Sequence, residues 1–369
     1  MPHKDINVYD NLNEMVFDTC DHVIRDGEVV TSRNGSSREI CDYNAILTNP
    51  RNRHLYLHGR KSNIFATIGE TLWVMAGVDT LDPLMKFLIP RSVDFSDDGG
   101  STWRAAYGAR LWANGQIDHV VRSLWDDLNS RQAVMTIWDP SKDTLESMKG
   151  EKTKDRPCSN WLGFQVRNNK LNLKLQMRSN DVIWGLSHIN VFEFTFLQEI
   201  ICEMIRLKHP LIGLGSYTHA ALSMHVYDPG TITQAVDIVK SKENRDFLFT
   251  TPSRNMKLGS IDPDTVQSFF HELYDSMCHL IDPGYDIFPR RELLDIFMQF
   301  KVPIEDNQLF DYCRVLEYFI LEKKGIWIPL KSIMSLWLSL SEDLKIAVSH
   351  NGFTPKRWLE AIGGHIKEK

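Results

Sequence analysis

Residues 161–177 alternate apolar and polar side chains in two runs, GFQV and LNLKLQM, either side of the turn-like Arg167-Asn168-Asn169-Lys170. That pattern predicts two strands joined by a hairpin. A strand period of two puts the apolar side chains on one face, which must then be covered. Residues 192–207 follow with apolar side chains at helical spacing and predict a long buried helix. Upstream, residues 64–75 and 117–128 predict helices and residues 133–138 a strand, so the first part of the chain is of the α+β class. After about Pro252 the strand signals fade, and residues 264–280, 291–300, 306–322 and 330–340 all carry helical periodicity. The expected organisation is an α+β domain over 1–255, with a mixed sheet packed by helices, and a helical C-terminal region over 256–369. The charge-dense run 141–156, SKDTLESMKGEKTKDR, predicts an exposed loop from which the chain re-enters the core at Cys158.

The chain has 369 residues, of which 43% are hydrophobic, enough to bury a substantial core. A net charge of -6 offers no global attraction to a polynucleotide or to an anionic membrane, so any phosphate must be bound locally. The cysteines at positions 20, 41, 158, 202, 278 and 313 form no C-x-x-C pair and no Cys/His cluster at zinc spacing. Reduced thiols, a cytoplasmic protein and no metal centre are expected. No stretch has the character of a signal peptide or of a membrane span of about 20 apolar residues.

The densest polar constellation is Cys158-Ser159-Asn160, then Arg178-Ser179-Asn180-Asp181, then Asn190, then His225-Val226-Tyr227. A cysteine near an arginine can become a thiolate nucleophile, and an Arg-Ser pair can bind phosphate through its donor fork. The same residues also admit a buried, inert Cys158 and an Arg178–Asp181 pair on a surface turn. Taken alone they leave the reaction undetermined.

Order and spacing add more. Pro157-Cys158, Arg178-Ser179-Asn180-Asp181 and Gly185 with Asn190 resemble the motif of the thymidylate synthase family. The earlier chain is similar too: Ser32-Arg33-Asn34-Gly35 resembles the phosphate-loop arginine, Glu70-Thr71-Leu72-Trp73 the active-site glutamate helix, and Tyr107-Gly108 the site wall. Ser130-Arg131 resembles the arginine supplied by a neighbouring subunit, and His225-Val226-Tyr227 the His-x-Tyr at the sugar hydroxyl. The resemblance implies that Cys158 adds to C6 of a pyrimidine nucleoside 5′-monophosphate and that C5 attacks 5,10-methylenetetrahydrofolate. It assigns the phosphate to Arg33, Arg178, Ser179 and a partner's Arg131, the sugar to His225 and Tyr227, and the pyrimidine edge to Asn190. Glu70 would organise proton transfer, Tyr107 would line the C5 side, and Asp181, Trp184 and Gly185 would face the pterin. A homodimer follows from Arg131 in trans. His188 reads equally as a solvated loop residue and as a substrate contact, and Trp161 as a core residue.

Four departures separate the chain from the usual synthase pattern. Ser159 stands where synthases usually have His and where the phage deoxycytidylate hydroxymethylase has a small hydroxyl residue, and Met177 to Val182 is closer to that hydroxymethylase than to most synthases. The stretch between Gly185 and Asn190 is one residue longer than in either relative. The chain ends in HIKEK without the apolar tail that closes the site. Admitting water to a C5 exocyclic methylene would give a 5-hydroxymethyl product, whereas excluding it favours methyl. The expectation is therefore a deoxyuridylate hydroxymethylase, less so a deoxycytidylate one, of the kind phages place in the host cytoplasm. A methyl-forming thymidylate synthase is the close rival, and a non-enzymatic nucleotide-binding scaffold the distant one.

Overall fold

The computed structural model describes residues 7–354 apart from 33–34, 147, 150–151, 154, 248–252, 285–291 and 327. Its centre is a mixed sheet of β1 (Asn7–Tyr9), β2 (Glu28–Ser32), β3 (Gly35–Leu47), β4 (Val134–Thr136), β5 (Ser159–Arg167), β6 (Lys170–Met177), β7 (Asn180–Asp181) and β8 (Gly213–Asp228). The strands lie in the order β1-β3-β8-β6-β5-β4, with β2 on β3 and β7 on β8. β8 is the hub: it runs antiparallel to β3 and parallel to β6 and β7. The predicted hairpin is β5–β6, closed with Arg167 opposite Lys170. Asn168 and Asn169 at its tip have φ of 52° and 55°, a left-handed conformation that asparagine tolerates and that a two-residue hairpin turn requires.

Alternation along β5 and β6 sorts the sheet into two faces. Leu162, Phe164, Val166, Leu171, Leu173, Leu175 and Met177 are buried, while Gln165 and Lys174 between them are exposed. The buried face carries α1 (Leu12–Asp26), α7 (Val191–Arg206) and α8 (Thr231–Lys240). Between β3 and β5 the chain forms α2 (Ile64–Ala76), α3 (Leu84–Leu88), α4 (Tyr107–Trp112), α5 (Gln116–Asp126) and α6 (Pro140–Asp143). Beyond β8 and α8 come α9 (Val266–Ile281), α10 (Leu293–Gln299), α11 (Gln308–Lys323), α12 (Leu330–Ser339) and α13 (Glu342–His350). The helical C-terminal region is therefore present, and it shares one contiguous core with the sheet-bearing part. α9 and α11 pack on α2, where Phe65 stacks on Phe319 at 4.1 Å between centroids. Deep in that junction His54 Nδ1 meets Asp343 at 2.8 Å and its Nε2 meets the Tyr312 hydroxyl at 2.8 Å.

The charge-dense run 141–156 departs from the exposed loop expected of it. Asp143 is 1% exposed and takes a bidentate ion pair from buried Arg110, at 2.5 and 3.0 Å. The pair is worth making because an unpartnered charge in that position would lose its hydration without compensation. No helix among the described residues is long and apolar enough to cross a membrane.

Candidate active site

Pro157-Cys158 leads directly into β5, and the half-buried Cys158 sits where that strand and the end of β6 converge. The Cys158 carbonyl accepts from the Arg178 backbone N–H at 2.9 Å. The Arg178 guanidinium is fixed in turn, donating from Nε to the Pro157 carbonyl at 2.9 Å and from Nη2 to the Arg156 carbonyl at 3.0 Å. Arg178 thus spans the loop that carries the cysteine, and the surface pair with Asp181 is not formed. On the other side the Tyr107 hydroxyl accepts from the backbone N–H groups of Cys158 and Ser159, at 3.3 and 3.2 Å. Tyr107 reaches them because Gly108 lets α4 press onto α2: a Cβ there would lie 2.4 Å from the Val74 carbonyl oxygen. Burial pushes the Tyr107 hydroxyl far above its ordinary range, so it stays protonated.

A cleft of about 420 Å³ opens over the thiol, walled by Cys158, Arg178, Ser179, Tyr107, His225 and Tyr227. That volume lies within the usual range for small-molecule sites. The His225 and Tyr227 rings meet edge to face at 4.9 Å on alternate positions of β8. A second cleft of about 430 Å³ is lined by Glu70, Trp103, Trp184, His188 and Arg91, and Phe95 belongs to both. Glu70 projects from α2 into this cleft, where burial raises its carboxyl to about 7. His188 bonds the Thr67 hydroxyl at 3.1 Å and is held neutral by burial, at about 3. Trp184 is 44% exposed, with the Arg91 guanidinium 4.9 Å over its ring.

Other expected residues stand elsewhere. Asp181 lines neither cleft: its Oδ1 caps the next helical segment by accepting from the Ile183 and Trp184 N–H groups at 2.7 and 2.6 Å, and its Oδ2 accepts from Thr231 at 2.8 Å. That segment, Val182–Asn190, is a π-helix. Asn190 also lies outside both clefts, its Oδ1 accepting from Asn180 Nδ2 at 2.9 Å. Gly185 makes room for that pair, since a Cβ would stand 2.7 Å from each side-chain oxygen. Ser159 is fully buried, and its hydroxyl has no hydrogen-bond partner among the described residues. Arg131 is exposed at the approach to β4 and reaches neither cleft of its own chain. Trp161 is half-buried on the more open side of the sheet, and Arg33 and the C-terminal HIKEK lie outside the described residues.

Several lining residues had no sequence signal of their own. Arg156 and Asp155 belong to the run whose composition predicts an exposed loop, yet both face the thiol cleft. Burial raises the Asp155 carboxyl to about 6, and it accepts from the Ala105 N–H at 2.8 Å. Adjacency to Pro157-Cys158 was the one hint for them. Glu39 and Ser223, bonded at 2.5 Å on neighbouring strands, line the same cleft. Arg91 and Phe95 had no motif at all.

The geometry has independent company among known proteins. The sequence profile of the thymidylate synthase family matches residues 15–277. A deoxyuridylate hydroxymethyltransferase of Delftia phage PhiW-14 is 31% identical over 307 residues, covering 81% of this chain and 82% of the relative. A protein of the same description from Bacillus phage SP01 is 33% identical over 227 residues, covering 58% of this chain and 56% of the relative. A third, from Pseudomonas phage M6, is 28% identical over 187 residues, half of each chain. A profile match over most of the chain and a relative similar along four-fifths of it place this protein in the thymidylate synthase family.

Proposed function

We propose that the protein is a deoxyuridylate hydroxymethyltransferase, which adds a one-carbon unit to C5 of dUMP and gives 5-hydroxymethyl-dUMP. The observation that carries this reading is the meeting of two clefts at Phe95, one holding the Cys158 thiol and the other the Glu70 carboxyl. The hydroxymethyl outcome is supported by the relatives of that description.

In this reading the Cys158 thiolate adds to C6 and makes C5 a nucleophile. Arg178, Ser179 and Arg156 bind the 5′-phosphate, joined by Arg33 and by the partner subunit's Arg131. His225 and Tyr227 hold the sugar. The resemblance assigns the choice of uracil over cytosine to Asn190, which pairs with Asn180 outside both clefts and would have to turn toward the base to donate its amide to O4 of uracil, where cytosine presents a donor instead. Asp181 acts through Trp184, whose helical segment it caps, and Gly185 through the Asn180–Asn190 pair it admits. The second cleft fits a folate, for its exposed Trp184, with Trp103 and Phe95, matches a flat ring system, and Arg91 and Lys61 match its carboxylates. 5,10-Methylenetetrahydrofolate bound there would supply a carbon at the oxidation level of formaldehyde. Glu70, near neutrality and facing the same space, takes the proton of the water that adds to the C5 methylene group.

We assign this chemistry to residues 1–255 and the support of α2 to residues 256–369. Homodimerisation through the more open sheet face would bring Arg131 to a partner's cleft. Mixing Cys158→Ala and Arg131→Ala proteins should then restore activity through hybrid dimers, and no recovery despite subunit exchange would remove the trans arginine. The function itself is tested by incubation with dUMP and methylenetetrahydrofolate. A product heavier by a hydroxymethyl group, without dihydrofolate, is expected; a methyl product with stoichiometric dihydrofolate would replace this reading with a synthase.

A further inference from the structure

Transfer of a one-carbon unit to C5 of dUMP must also shed the proton at C5. Once C5 has taken up the new carbon it still carries its own hydrogen, and a base must remove that hydrogen before the exocyclic methylene can form. Glu70 serves the water that adds later. Tyr107 is unsuited to the task, because its hydroxyl stays protonated and its oxygen already accepts from the Cys158 and Ser159 N–H groups.

Among the described residues two carboxyls line the thiol cleft, Glu39 and Asp155, and they belong to different walls. Glu39 lies on β3 directly across from His225 of β8, and it accepts from the Ser223 hydroxyl at 2.5 Å. That wall is the one given to the sugar. Asp155 belongs to the wall of α4: its Oδ2 accepts from the Ala105 N–H at 2.8 Å, and Ala105 leads into Tyr107 at the start of that helix. Trp103, just before, donates from Nε1 to the Ser92 carbonyl at 2.8 Å, which holds the short 3-10 segment Pro90–Phe95 against the same stretch. Phe95 lines both clefts. Asp155 therefore shares a wall with the residue at the junction through which a carbon held in the second cleft reaches the nucleotide. It also stands three residues before Cys158, in the loop that the Tyr107 hydrogen bonds tie to α4.

The bond to Ala105 engages Oδ2, and a carboxylate has a second oxygen to offer a ligand. Burial is the main influence on this carboxyl and raises it to about 6; Asp97 adds to the rise, while the Ala105 N–H, Arg110 and Arg104 oppose it. Such a group is ionised at neutral pH and is a stronger base than an ordinary aspartate.

We propose that Asp155 is a further catalytic residue, the base that takes the proton from C5. The assignment rests on the dUMP reading above. The C5–H bond breaks and its proton passes to Asp155. The electron pair left behind forms the exocyclic double bond, and the bond from that carbon to the carrier nitrogen breaks, its pair going to the nitrogen, which takes a proton from solvent. Asp155, half-buried, hands its own proton on to water. With Asp155 in the thiol cleft and Glu70 in the second, each proton of the reaction has its own acceptor.

The test needs no carrier. Addition of Cys158 to C6 lets C5 take up a proton from solvent, and removal of a hydrogen from C5 with expulsion of the thiolate returns the nucleotide. In deuterium oxide the wild type should therefore place deuterium at C5 of dUMP, read from the nucleotide mass. Asp155→Asn keeps an acceptor for the Ala105 N–H but has lost the base, so exchange should fall by about a hundredfold or more while dUMP binding by calorimetry is retained. Asp155→Glu, which keeps a carboxylate, should recover part of the exchange. Exchange by Asp155→Asn at the wild-type rate overturns the proposal, since that is the result expected of a purely structural Asp155. Incubation with 5-fluoro-dUMP and methylenetetrahydrofolate supplies a second readout. Fluorine cannot leave C5 as a proton does, so an adduct through Cys158 should persist in the intact-protein mass of wild type and Asp155→Asn alike. Loss of that adduct from Asp155→Asn would place Asp155 ahead of the C5 step and overturn its role as the base. Absence of exchange in the wild type would instead remove the dUMP reading on which the assignment stands.

Discussion

Gly108→Ala should cut turnover by about a hundredfold while leaving a folded protein. The new Cβ would stand 2.4 Å from the Val74 carbonyl oxygen and 2.8 Å from the Val74 Cα. Both are backbone atoms of α2, so no side chain can swing aside, and α4 must retreat by about 1 Å to reach ordinary contact distance. Overpacking of this kind costs about 1–3 kcal/mol. Tyr107 is the first residue of α4, and its hydroxyl already receives the Cys158 and Ser159 N–H groups at 3.3 and 3.2 Å. A further retreat breaks both hydrogen bonds and frees the cysteine loop. Displacing a reacting group by about 1 Å is enough for a loss of the order of 10² in rate. The assay is kcat at saturating dUMP and folate, beside a thermal melt. Tyr107→Phe is the comparator: it keeps the helix contact, loses the hydroxyl, and should melt close to wild type with reduced turnover. A Gly108→Ala protein with a lower melting temperature and wild-type kcat would refute the claim that α4 sets the cysteine loop.

Cys158→Ala should abolish release of tritium from C5-labelled dUMP while preserving nucleotide binding by calorimetry; normal release would take the thiol out of the mechanism. With the Glu70 carboxyl at about 7 instead of its ordinary 4.5, kcat/KM should climb as pH rises through 7, and Glu70→Gln should flatten that limb. The same displacement has a sign for folding: ionising Glu70 is harder folded than unfolded, so wild-type stability falls as pH rises from about 4.5 to 7. Glu70→Gln should accordingly be the more stable protein above pH 7, with the gap closing on acidification; a gap that widens at low pH would reverse the burial argument. Asp143→Ala strands the Arg110 guanidinium, which is 6% exposed, and should cost about 3–5 kcal/mol in denaturant melts. A change below about 1 kcal/mol would return the 141–156 run to the solvated loop its composition suggests.

Periodicity and turn chemistry are local properties, and what depended on them was legible. The β5–β6 hairpin with its paired asparagines, the Glu70 helix and the buried α7 emerge within two residues of their expected ends. Ordered short motifs likewise pointed to Cys158, Arg178, Tyr107 and the His225–Tyr227 pair, which the fold gathers into one cleft. What stayed hidden depends on partners distant in the chain. Asp143 looks solvated until Arg110, 33 residues away, closes on it. Arg53 and Glu199 form a buried pair across 146 residues, and neither has a signal without the other. Asp181 looks like a cofactor ligand in the motif, and only the placement of Thr231 and the following N–H groups shows its carboxylate already occupied.

The place of β8 in the sheet has a consequence for how the protein is made. Its partner β3 must wait for it: Leu47 pairs with Tyr217 and Ser36 with Asp228, so the two strands cannot meet until everything between them in the chain has left the ribosome. β6 and β7 wait for the same strand. His225 and Tyr227 therefore arrive with the element that completes the sheet, and a nascent chain halted before β8 holds Cys158 and Arg178 but no finished pocket. Contacts of such long sequence separation close slowly. Until then the apolar edges of β3 and β6 stand open, and synthesis is the stage at which this protein is most exposed to misassembly.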